Sequence, residues 1–257
     1  MRPGAADVIS IDLPWGHGHG RTAIASRSPE GIAVAAVVDD DELVEYVQRH
    51  AATNALVLLD VPVAGCEALN ATNPRRGVDD RCQRIGIPIL PSVKAGMRGP
   101  QLTSRLLGSR PDLRIFEGYP YAVLRVIWGL HLQGRPFRFD DDAATIDLSA
   151  QWRSWPPKYK RASTVANKLV AMRAVASVIS RLPGFESVVV DPTDAATGME
   201  LTRLADNYDA LLGLVAGIAG VEELPWSWLI TTRRDAGAIL TIADGSLRRR
   251  FTAGDAG

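Results

Sequence analysis

Residues 55–65 read ALVLLDVPVAG. Five apolar residues run straight into Asp60, and Pro62 follows two positions later. An apolar run of this kind, with no polar alternation, predicts a strand buried on both faces. Pro62 has no amide hydrogen to give to a ladder, so pairing should stop near Asp60. A carboxylate at the end of such a strand lies where α/β proteins place their ligands. The expected fold class is therefore α/β.

The meander upstream fits this reading. Residues 6–13, 22–27 and 31–38 predict three strands, with the turn signal Ser28-Pro29-Glu30-Gly31 between the second and third. Short links of this kind predict antiparallel pairing. Asp39-Asp40-Asp41 supplies N-cap candidates and acids for the positive end of a helix reaching about residue 50. Its buried stripe is Leu43, Val44, Val47 and Ala51. A meander, a helix and then a buried strand implies a crossover connection.

Downstream, residues 62–108 are rich in Gly, Pro and Arg and predict a loop-rich insertion, with short helices near 78–85 and 101–107. Residues 113–117 (LRIFE) predict another short strand that ends in a carboxylate, followed by a helix over 121–131. Residues 133–157 are expected to form a polar linker or cap. Long helices follow over 162–182 and 199–220, with a short strand at 187–190 and late strands at 228–232 and 238–242. Arg248-Arg249-Arg250 reads as a solvated basic tail. No internal repeat interrupts the chain. One domain over residues 1–257 is expected, with the insertion at about 62–108 and a helical linker segment at about 132–182.

Composition narrows the function classes. Lys plus Arg and Asp plus Glu both number 29, so the formal charge is zero and any site for a polyanion must be local. Cys66 and Cys82 lack histidine partners at zinc spacing, and a reduced, cytoplasmic protein is the expectation. No N-terminal leader is expected, nor any run near the ~18 apolar residues of a membrane span.

Asp12, Asp60 and Glu117 each close a predicted strand. One such acid is unremarkable, because turns favour aspartate. Three are a stronger signal, because neighbouring strand ends lie about 5 Å apart. Asp206 and Asp209 are three apart on the last long helix and share one face. The apolar stripe of that helix, Leu204, Tyr208, Leu211, Val215 and Ile218, lies opposite. The same face as the acids carries Gly213, Ala216, Gly217 and Gly220. A water-facing helix gains nothing from glycine, which costs about 1 kcal/mol relative to alanine. The glycines predict close approach to another element. Clustered carboxylates persist where a cation binds between them, and hard oxygen ligands select Mg²⁺ or Mn²⁺. Two such ions can hydrolyse a phosphodiester.

An acid on the first strand of a meander, a second ending the fourth strand and late acids on a helix together resemble the ribonuclease-H-like superfamily. The tail of DNYDALLGLVAG (206–217) is similar to the end of its Holliday-junction resolvases. More closely, LLDVPVAG (58–65), FEGYPYAVLR (116–125), YK (159–160), DNYDALLGLVAG and GAILTIAD (237–244) resemble the domain-of-unknown-function family of predicted RNase-H-like nucleases. The resemblance implies an α/β fold with a mixed five-stranded sheet, its first three strands antiparallel, and helices on both faces. By analogy it implies a metal-dependent nuclease. Carried over by position, Asp12, Asp60, Asp206 and Asp209 would be metal ligands, and Glu117 a further ligand or substrate-positioning residue. The chain departs from the pattern at Pro14, followed by Trp15, where glycine often stands.

Other residues extend the candidate site. Lys158, Lys160 and Arg161, close in sequence to Trp152, Trp155 and Tyr159, suit phosphates and stacked bases, or else a linker lying over a core. Arg75 and Arg76, with Arg81 and Arg84, offer phosphate contacts or are ordinary solvated arginines. His17 and His19 lie between glycines in an expected loop that could carry an acid/base to the site. The primary expectation is a Mg²⁺- or Mn²⁺-dependent nuclease or phosphodiesterase acting on nucleic acid or a nucleotide. The alternatives are an actin-like phosphotransferase or ATPase, and a catalytically silent nucleic-acid or nucleotide binding module. The implied partners are nucleic acid or nucleotide and no membrane, with a homodimer left open.

Overall fold

The computed structural model describes residues 5–14, 21–67, 69–87, 89, 92–94, 96–161, 164–195, 197–231 and 237–253. The Asp60 strand is β4 (Ala51–Leu59), and it is central. β1 (Ala6–Asp12) pairs with it in parallel on one side, and β5 (Arg114–Gly118) does so on the other. β2 (Thr22–Ser28) and β3 (Gly31–Val37) complete the expected antiparallel meander. β6 (Ser227–Thr231) and β7 (Ala238–Ile242) extend the sheet beyond β5, giving the order β3-β2-β1-β4-β5-β7-β6. The sheet therefore has seven strands, not the five that the resemblance implies. β7 adds in parallel to β5, and β6 pairs antiparallel at the edge.

The apolar run in β4 is buried on both faces because two cores flank it. Leu56 and Leu58 face one core with Val8 of β1. Val57 and Leu59 face the other with Ile9 and Ile11. The second core is closed by α1 (Asp40–His50) through Leu43 and Val47, and by α3 (Arg98–Ser109) through Leu102 and Leu106. Asp39 caps α1 by accepting from the amides of Asp41 and Glu42. The first core is closed by α4 (Pro120–Leu132), α5 (Val165–Ile179) and α6 (Gly198–Val221).

α6 lies against the sheet as its glycines predict. A Cβ on Gly213 would sit 2.2 Å from Ser10 Oγ, and one on Gly217 2.4 Å from Val8 Cγ1. Thr197 and Glu200 form a capping box at its start. Among the described residues it is the one helix long and apolar enough to cross a membrane, and 72% of that window is buried inside the fold.

Two expectations need correction, and a third narrows. Residues 187–190 form turns and irregular chain rather than a strand; the Val190 carbonyl accepts from the Tyr208 hydroxyl at 2.6 Å. Of the two readings of residues 133–157, linker or cap, only the cap fits, because Trp152 is buried and its indole donates to Ser246 Oγ at 3.0 Å. The three arginines at 248–250 belong to a helix, α7 (Gly245–Ala253), in which Arg249 pairs with Asp147 at 2.5 Å. The loop-rich segment after β4 contains α2 (Gly77–Arg84), a short 3-10 turn at Ser92–Lys94 and α3.

Candidate metal centre

β1 ends at Asp12, and Asp60 lies one residue beyond β4. The Asp60 amide still donates to Ile11 O at 3.0 Å, so the two strand ends are held level. Side chains alternate along a strand. Ser10 meets α6, so Asp12 points to the same face. Leu58 also meets Gly217 of α6, and Asp60 follows it by two. Both acids thus point towards the helix that carries Asp209. One carboxylate oxygen each from Asp12, Asp60 and Asp209 lies within 4.8 Å of the others. The glycine face of α6 makes this possible, because it brings the helix onto the sheet without intervening side chains.

Asp206 is half-buried one turn earlier on α6. It joins the group through Lys160, whose ammonium lies 3.1 Å from Asp12, 3.4 Å from Asp206 and in direct contact with Asp209. Tyr159 is buried beside it, and its hydroxyl donates to Asp209 Oδ1. Arg21 donates to Asn207 Oδ1 at 2.8 Å and to Arg203 O at 3.1 Å, which fixes it on the rim along α6.

The electrostatics follow from crowding acids in a poorly hydrated place. Asp12 is 5% exposed, and burial, reinforced by Asp209 and Asp206, lifts its pKa to about 7 against the pull of Lys160. Burial, then Asp12 and Asp209, pushes Asp60 well above the ordinary carboxylate range; its carboxyl also hydrogen-bonds Asp12. Asp206 is raised by burial too, with Lys160 pulling it down. Burial works against the Lys160 ammonium, yet Asp209, Asp12, Asp206 and Asp60 together hold its proton on above the usual lysine range.

The donor set is all carboxylate oxygen, which suits Mg²⁺ or Mn²⁺ rather than Zn²⁺. The Lys160 ammonium has no lone pair to give a metal. Its side chain is 38% exposed, so it has an open side toward which to swing from the acids. The residues therefore fit a hard divalent cation. The centre opens into a cleft of about 730 Å³, lined further by Pro14, Tyr119, Tyr121, Trp155 and Lys158. The Pro14 carbonyl accepts from Arg98 at 2.7 Å, which turns its backbone towards α3.

The structure separates Glu117 from this group. Glu117 is level with Leu59 and shares the face of Ile115, which packs in the second core. Asp60, one residue past Leu59, points the other way. Glu117 instead receives both terminal nitrogens of Arg76, at 2.7 and 2.8 Å. Arg76 also donates to Asp79 at 2.7 Å and to Ala64 O at 3.0 Å, and Ser92 donates to Asp79 at 2.5 Å. Arg76 is 2% exposed, so it is neither a solvated arginine nor open to a phosphate in this structure. Arg75 is half-buried and lies outside the cleft lining. Trp15, His17 and His19 lie outside the described residues.

Sequence reasoning placed Lys160 as a substrate contact and missed it as the counter-ion of the acids. The YK pair at 159–160 was the signal, since its two residues serve one aspartate. Tyr119 and Tyr121, either side of Pro120 after β5, were also missed as cleft walls. No protein-family model matches the chain, and neither does any curated protein or solved structure.

Proposed function

We propose that the chain is a ribonuclease-H-like, divalent-metal-dependent nuclease or phosphodiesterase acting on nucleic acid. The observation that carries this reading is the convergence of Asp12, Asp60 and Asp209 within 4.8 Å at the floor of an open cleft. The antiparallel meander β1–β3 followed by parallel β4 and β5 supports the fold assignment. The free, buried Cys66 and Cys82 suit a reducing cytoplasm.

Asp12, Asp60 and Asp209 would hold Mg²⁺ or Mn²⁺, with Asp206 at the edge. Ions bound there would polarise a phosphoryl oxygen and lower the pKa of attacking water. The chain's own groups do the rest. Tyr159 holds one oxygen of Asp209, leaving the other to face the cluster. Asp12 and Asp60, both raised by burial, would have to release bound protons to ligate a cation. Lys160 turns from the acids to the negative charge of the phosphate, where a point cation is useful.

A second reading rests on Lys160 itself. An ammonium already balancing three acids is what a catalytically silent binding module would retain. One set of measurements separates the two. Calorimetry with Mn²⁺ and cleavage of labelled DNA and RNA should show metal binding and metal-dependent hydrolysis, both lost in Asp60→Asn. Cleavage that persists undiminished in Asp60→Asn would sink the nuclease reading. Nucleic-acid binding without any Mn²⁺ binding at millimolar metal would favour the silent module.

A further inference from the structure

Trp155 is 48% exposed, yet its ring has neighbours on two sides. Its ring lies nearly parallel to that of Tyr121, 19° apart with centroids 6.4 Å from each other. The Arg125 guanidinium sits 3.9 Å over the same ring. Arg125 is itself fixed, since it is buried and donates to Gly86 O at 2.9 Å and to the Trp152 carbonyl. Trp155 and Tyr121 both line the cleft whose floor is the carboxylate cluster. Lys158, on the same wall, is exposed and makes no ion pair among the described residues.

An aromatic ring left open to water, but already packed against neighbours, loses less entropy than a free one when a flat partner covers it. The partner must bring a flat face and also negative charge for Lys158 and Lys160. A nucleobase with its phosphates has both. In a duplex the faces of a base are covered by its neighbours, whereas in a single strand they are free to stack on aromatic side chains. We propose that Trp155, with Tyr121, is a stacking platform for an unpaired nucleobase, which makes single-stranded nucleic acid the substrate of this cleft. Lys158 takes the adjacent phosphate, and the scissile phosphate reaches the acids. This rests on the nuclease reading above for its catalytic half, but the platform binds whether or not hydrolysis follows.

The test is fluorescence anisotropy of the full chain with a labelled twelve-nucleotide oligothymidylate and a twelve-base-pair duplex, in Ca²⁺. The wild type should bind the strand at least about tenfold more tightly than the duplex. Trp155→Ala should weaken strand binding on the order of ten- to a hundredfold. Trp155→Phe, which keeps a ring and the fold, should recover most of that loss. Equal affinity for strand and duplex would overturn the inference, as would no strand binding at all or unchanged binding in Trp155→Ala. Mn²⁺ calorimetry runs in parallel. Trp155→Ala should keep wild-type metal affinity. If the wild type binds the strand through Trp155 but takes up no Mn²⁺, the platform stands and the metal-dependent reading fails.

Discussion

Two groups of acids gather at the ends of neighbouring strands, and they differ in how their charge is answered. Glu117 and Asp79 surround Arg76, and every nitrogen of that guanidinium has a partner. Burial opposes the Arg76 charge, but Glu117 and Asp79 keep it protonated more firmly than usual. This knot ties the loop-rich segment after β4 to β5. Across the sheet, the Lys160 ammonium contacts Asp12, Asp206 and Asp209, and Asp60 lies beside them. The first group is satisfied and structural. The second crowds acids together so that burial raises Asp12, Asp60 and Asp206 above the ordinary carboxylate range, and it lines an open cleft. A strand-end acid therefore says little by itself; the balance of partners around it separates a fastening from a site.

Substitutions on the two sides should part widely. Arg76→Met leaves Glu117 and Asp79 buried without their cation, and urea denaturation should read a loss of about 3–5 kcal/mol. Asp60→Asn removes one member of a repelling pair, and the same denaturation, without metal, should read no loss or a gain. Equal losses would erase the distinction between knot and centre.

Acidity sharpens the contrast. Asp12 titrates near 7 in the fold against an ordinary 3.8, so the folded state binds its proton more tightly between those values. The metal-free protein should lose stability as pH rises through that window, at about 1.4 kcal/mol for each tenfold change in proton affinity. Asp12→Asn should flatten this part of the profile. Mn²⁺ affinity should run the other way and rise with pH through about 7, because the ligands must shed protons. Thermal unfolding with and without Mn²⁺ from pH 5 to 8 reads both slopes.

Gly217→Ala tests how the centre is assembled. Its new Cβ would meet Val8 Cγ1 at 2.4 Å and Leu56 and Leu58 behind it, forcing α6 off the sheet. A cost of about 1–3 kcal/mol is expected, together with weaker Mn²⁺ binding, because Asp209 moves with the helix. Lys160→Met removes an ammonium that contacts Asp12, Asp206 and Asp209, and should lower Tm without metal. The rise on adding Mn²⁺ should then exceed that of the wild type, because the competing cation has gone.

The architecture was legible where the hydrophobic pattern is strong. The run at 55–59 announced a doubly buried strand, and Gly213, Gly217 and Gly220 announced a helix pressed on the sheet. The grouping of Asp12, Asp60 and Asp209 followed from those two features. Glu117 was misplaced for a specific reason. Its strand pairs with β4 so that Glu117 faces Leu59 rather than Asp60, and a one-residue offset in register reverses the face of a side chain. Register depends on partners distant in the chain, so LRIFE alone does not contain it. Arg76 looked solvated for the same kind of reason, since its acid partner Glu117 lies 41 residues away. The strands at β6 and β7 were visible, but their addition to the same sheet depends on pairing to β5, which no local pattern encodes.

The most direct test of the centre is anomalous diffraction from a crystal soaked in Mn²⁺. The expected result is manganese bound to carboxylate oxygens of Asp12, Asp60 and Asp209, with the Lys160 ammonium drawn away from the acids. At saturating Mn²⁺, an anomalous map with no peak there and Lys160 still bridging Asp12 and Asp209 would contradict a metal centre at this site.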